Sequence, residues 1–177
     1  MPTEPLVARA LEGSGRHAPG PRIVASVRTL AADLESARAA LGTGSSSAEL
    51  LAGATALAAG VPPDTLARLR AARPTGSLVV PLVVFTDLIT RRVPMETAGA
   101  AVLAASRAHV QDRELMRLRE RIDQDIRSGV PPGNATVLRT RGLIGSFEAP
   151  PGRAPRRPDG LARVLRIRVG VGTRGVE

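Results

Sequence analysis

The chain has 177 residues and a net charge of +9, from 25 Arg and 16 acidic residues, with no Lys and no Cys. The absence of Cys excludes disulfides, thiolate catalysis and cysteine metal sites. Aromatics are 1%, Phe85 and Phe147 alone, so the core is built from Leu, Val, Ile and much Ala, whose small side chains require close approach. The length suits one domain with a modest core. The longest apolar run, Leu78 to Phe85, is eight residues, too short to span a membrane.

In chain order, Met1-Pro2-Thr3-Glu4-Pro5 is not a secretory signal as written. Residues 5–12 read as a short helix, and Gly13 to Pro21 as a breaker-rich loop. The cleanest helix covers about residues 22–41. Its Ile23, Val27, Leu30, Leu34, Ala37 and Leu41 recur at spacings of 4, 3, 4, 3 and 4, a narrow seam for packing on another helix. Fewer than three heptads favours a bundle contact over a homodimeric zipper. Gly42-Thr43-Gly44 then ends that helix, and Ser46 with Glu49 has the spacing of a capping box for the next. No Gly-Lys-Ser/Thr follows, so this turn is not a phosphate loop.

The middle of the chain is organised by Gly60-Val61-Pro62-Pro63-Asp64-Thr65. It recurs as Arg92-Val93-Pro94-Met95-Glu96-Thr97 and as Gly129-Val130-Pro131-Pro132-Gly133-Asn134. The valines are 32 and then 37 residues apart, a period of helical arrays. Four residues before each valine stands Leu57, Ile89 or Ile126. Five after it stand Leu66, Ala98 and Ala135, and eight after it Leu69, Ala101 and Leu138. These offsets give each arm an apolar stripe that ends at the corner. Gly60 and Gly129 suit a left-handed helix end. Arg92, in the glycine's place, costs some strain but meets the C-terminal carbonyls. The proline fits the first turn of the next helix, and Asp64 and Glu96 meet its dipole. Three hairpins result, at about 47–59 with 62–73, 79–91 with 94–108, and 112–128 with 131–141. Asp112 is expected to cap the third.

Leu78 to Phe85 alone reads as a buried strand, but register with the other copies favours a helix with Pro81 near its start. Residues 112–128 are densely charged. Arg119–Asp123 and Arg121–Asp125 are opposite-charge i,i+4 pairs, giving a solvated face or a rim for an acidic partner. Asp123 and Asp125, two apart on a helix, point apart and form no catalytic pair. His17 and His109 lie in loops or helix ends without a positioned partner and read as surface histidines.

From about residue 145 the pattern breaks. Ala149 to Gly160 is a Pro-rich basic linker, and Leu165, Ile167, Val169 and Val171 alternate like a strand without a partner. Residues 142–177 hold seven Arg against three acids, almost half the net charge. Arg153, Arg156, Arg157, Arg163, Arg166 and Arg168 are candidate contacts to phosphates or other anions. Against a nucleic-acid role, aromatic stacking residues are missing and the body holds little excess charge. Gly170-Val171-Gly172-Thr173-Arg174-Gly175 matches a dinucleotide fingerprint, but neither the helix nor the acid it needs can follow within the two remaining residues.

Glu4 to Gly13, the helix opening Arg22-Ile23-Val24-Ala25-Ser26-Val27-Arg28, and the Gly-Val-Pro corners together resemble an uncharacterised family of Ala-rich bacterial helical proteins, over roughly residues 4–141. That resemblance implies no activity. Members tend to carry an export signal. This chain as written has none, which implies a cytoplasmic protein, or an exported one if Met1 is an internal start.

The expectation is an all-α domain of stacked helical hairpins, a short α-solenoid or irregular bundle, over residues 1–144, with a disordered basic tail over 145–177. The expected role is non-enzymatic and without cofactor: protein–protein interaction or scaffolding through one face of the stack. The alternative is nucleic-acid or anionic-surface binding through the tail. A hydrolase is disfavoured, since no nucleophile has a base beside it.

Overall fold

Helix C-termini decide this architecture. The structure, a computed structural model, describes residues 2–148, with side chains for residues 2–146. The described residues are all-helical: α1 (Glu4–Gly15), α2 (Gly20–Leu41), α3 (Ser47–Ala58), α4 (Pro63–Ala72), α5 (Val79–Thr90), α6 (Met95–Arg107), α7 (Asp112–Arg127) and α8 (Pro132–Glu148). Of the successive helices, α1 with α2, α2 with α3 and α5 with α6 pack directly, and alternate helices pack side by side. One layer runs α2, α4, α6 and the other α3, α5, α7.

Each of the three Val-Pro corners closes in the same way. Gly60, Arg92 and Gly129 take positive φ. The amide of the following valine then donates back to a carbonyl five residues earlier: Val61 to Ala56, Val93 to Leu88, Val130 to Asp125. This is the Schellman cap, which satisfies carbonyls the helix end would leave open. Val61 and Val93 are buried. At the first two corners the proline after the valine sits at the cap position rather than in the first turn: Pro62 and Pro94 have ψ of 142° and 137°. Pro63 and Pro132 open their helices.

Two further corners have the same hydrogen bonds without the Val-Pro signature. At the α6–α7 junction His109 has φ 53°, and Val110 donates to Ala105. At the α1–α2 junction His17 has φ 54°, and Ala18 donates to Gly13. Both histidines therefore hold the left-handed cap position. Gln111, extended, is the N-cap of α7, and Asp112 is its first residue rather than its cap.

The stretch expected to be a loop after residue 12 is shorter than its composition suggests. α1 continues through Gly15, and Gly20-Pro21 already belongs to α2. Proline is tolerated there because first-turn amides lack helical partners. α8 extends to Glu148, past the residue at which the sequence pattern breaks.

The core runs along the stack and centres on α5, which buries Pro81, Leu82, Val84, Phe85 and Leu88. Leu66, Leu69, Ala98, Ala101 and Ala135 join it as the stripe spacing requires. Leu57, Ile89 and Ile126 are only half-buried, and Leu138 is 65% exposed. The positions one residue earlier at the first two corners, Ala56 and Leu88, are the fully covered ones. Small residues let the layers approach. A Cβ on Gly53 would lie 3.1 Å from that of Ala37 and 3.0 Å from Leu41. The seam of α2 is covered only in its second half, at Leu34, Ala37 and Leu41.

Candidate interaction surfaces

The polar side chains mostly brace the stack. Glu49 completes the capping box of α3, its carboxylate accepting from the Ser46 amide at 2.9 Å while the Glu49 amide donates to Ser46 Oγ at 3.2 Å. The same carboxylate also accepts from the Leu78 amide at 3.0 Å and from Arg70. Arg70 in turn donates to the Gly76 carbonyl at 3.2 Å. Burial alone would raise the Glu49 pKa. The Ser46 and Leu78 amides and the Arg70 guanidinium outweigh it and hold the carboxyl at about 2.

The charges of α7 are spent sideways. Asp123 pairs with Arg91, the C-cap of α5, at 3.1 Å and with Arg127 of its own helix. Arg119 reaches Asp87 of α5 at 3.0 Å. Asp125 takes Arg139 of α8 through two bonds, of 2.6 and 2.7 Å, which hold its carboxyl below the usual range. Asp112 pairs with Arg73 at 2.8 Å. The carboxylates thus serve neighbouring helices instead of the expected Arg119–Asp123 and Arg121–Asp125 pairs. They do point apart, as their spacing requires.

Two apolar grooves remain open. The first, about 410 Å³, lies between α3 and α5 and is lined by Ala48, Leu51, Ala52, Val79, Val83 and Thr86. Leu51 and Thr55 also line the adjoining cleft toward α2, beside Leu30. The second, about 390 Å³, lies between α6 and α8, over Ala100, Ala101, Ala104, Val137 and Ile144. The aliphatic stripes were legible in the sequence. Which of their members stay uncovered was not, because that depends on where the neighbouring helix stops.

Among the described residues no group of His, Asp and Glu is arranged to hold a metal ion, and no helix is long and apolar enough to cross a membrane. Arg153, Arg156, Arg157, Arg163, Arg166 and Arg168, the strand-like segment and the Gly170 to Gly175 motif lie outside the described residues. No protein-family model matches the chain, and comparison with curated proteins and with solved structures finds no similar protein.

Proposed function

We propose that the chain is a non-enzymatic helical-repeat module that binds a protein partner in the groove between α3 and α5. One observation carries this reading. Leu51 and Val83 are 41% and 42% exposed on adjacent helices inside the stack. The other large exposed aliphatics, Val7, Leu11, Val24, Val137 and Leu138, belong to the helices at the two ends of the described stack. An aliphatic groove flanked by two helices is the shape that accepts the apolar face of an amphipathic helix. Affinity capture with the wild-type chain, the Leu51→Asp/Val83→Asp variant and a Leu138→Asp control tests it. The partner should be lost from the first variant alone. Equal recovery by all three refutes the reading.

A second reading rests on the charge of residues 142–177, seven Arg against three acids: association with nucleic acid or an anionic surface. It requires that salt-sensitive binding of DNA or RNA disappear when the chain is cut after Ser146. Retained binding excludes it.

A further inference from the structure

Two opposite charges stand unpaired at one cavity. α4 and α6 start from equivalent Val-Pro corners and pack side by side. Between their first turns lies a cavity of about 480 Å³. Leu69 and Phe85, both fully buried, lie beneath it, and Met95 and Leu103 form its sides. Gly99 lines it without a side chain, and a Cβ there would stand 3.4 Å from Phe85 Cζ. Arg68 and Glu96, both exposed, stand at the mouth. Arg68 Nη2 donates to the hydroxyl of Thr65 at 3.1 Å. Thr65 is buried and lines the same cavity, so this bond keeps the guanidinium at the mouth. Asp64, one turn back on the same helix, is not paired with it. Among the described residues neither Arg68 nor Glu96 enters an ion pair, with each other or with any other side chain.

We propose that this cavity binds a free apolar α-amino acid, with Arg68 taking the carboxylate, Glu96 the ammonium and the cavity the side chain. A carboxylate and an ammonium on one carbon match a cation and an anion that face one space without meeting. Other ligand classes leave one charge opposed. A fatty acid or a phosphate ester pairs with Arg68 but brings its own negative charge to Glu96. An amphiphilic amine pairs with Glu96 but meets Arg68. A neutral apolar molecule covers both charges and satisfies neither. Guanidinium holds a carboxylate through two parallel bonds, and burial of the ligand's side chain supplies the rest. The volume falls among those of small-molecule pockets, roughly 300–1,000 Å³. The cavity lies in the α4–α6 layer, away from the α3–α5 groove, so either reading can fail without the other.

The test titrates L-phenylalanine into the full chain, read by saturation-transfer NMR and by the melting midpoint. The midpoint should rise with ligand concentration. Arg68→Gln and Glu96→Gln should each weaken binding about tenfold, one charge-assisted contact being lost. Ligands that lack one charge reverse these signs. N-acetyl-L-phenylalanine has no ammonium, so it should bind more tightly to Glu96→Gln than to wild type. L-phenylalanine amide has no carboxylate, so it should bind more tightly to Arg68→Gln. A variant that merely loosens the fold would weaken all three ligands alike. Glycine should bind several-fold more weakly than phenylalanine, having nothing to place in the cavity. No binding of the amino acid by wild type, undiminished binding by both variants, unreversed signs with the analogues, or tighter binding of octanoate than of phenylalanine would each overturn the proposal.

Discussion

Arg70 and Glu49 are 21 residues apart in sequence, and their side chains meet where α4, the N-terminus of α3 and the loop entering α5 converge. One carboxylate thereby caps its own helix, receives the amide of Leu78 and holds a guanidinium that fixes the Gly76 carbonyl. Its side chain is 8% exposed and that of Arg70 is 22% exposed. The pair is a joint between consecutive hairpins.

Replacing Glu49 by Ala strands the Leu78 amide and the Arg70 charge in a nearly closed site. The expected cost is about 3–5 kcal/mol, read as a fall in the urea midpoint. The same site has a pH signature. The folded pKa of about 2 lies below the ordinary 4.5. Stability from this group is therefore complete above pH 4.5 and is lost as pH falls toward 2, a loss on the order of 3 kcal/mol. Glu49→Gln should flatten the dependence of melting midpoint on pH over that window. An unchanged slope would mean that the carboxylate is not held by these partners.

The corner residues make opposite predictions at equivalent positions. Arg92 and His109 occupy the left-handed region with φ of 63° and 53°, at a cost glycine avoids. Arg92→Gly and His109→Gly should each raise stability by about 1 kcal/mol. Gly129→Ala, at φ 92° and with open space around it, should lower stability by about the same amount. Thermal melts of the three variants check the signs. Stabilisation by Gly129→Ala would contradict the cap geometry.

Two glycines inside helices should also differ in sign. A Cβ on Gly99 meets Phe85 Cζ at 3.4 Å, ordinary contact, so Gly99→Ala should gain the helix preference of alanine, about 0.5–1 kcal/mol. A Cβ on Gly53 would stand 3.1 Å from that of Ala37, which backbone fixes. Gly53→Ala must therefore push α3 off α2 and should cost about 1–3 kcal/mol. Matching shifts at both sites would show that helix approach is not limiting.

At the second corner the adjacent residues Leu88 and Ile89 separate cap burial from stripe spacing. Leu88 is fully buried and Ile89 half-buried. Leu88→Ala should cost about 2–5 kcal/mol, and Ile89→Ala less than half of that. Equal losses in chemical denaturation would argue for the stripe as read from sequence rather than for the observed packing.

Local chemistry was readable in advance wherever one segment sets its own conformation. Positive φ at Gly60 and Gly129 and the Ser46–Glu49 box follow from short-range rules, because the groups involved lie within a turn of one another, whereas the helix from Val79 was legible only through register with the other copies of the corner. The corners at His17 and His109 escaped those rules. Histidine enters the left-handed region more readily than most residues but far less readily than glycine, so it gives a weak signal, and Gln111 stands where the other corners carry proline. Only the packed chain decided that Asp123 faces Arg91 while Asp125 faces Arg139, that Glu49 serves three segments, and that Leu51 and Val83 remain open. The reason is physical. A side chain's periodicity says which face it occupies, but coverage and charge pairing depend on helices brought together from distant parts of the sequence, with separations that no local spacing records.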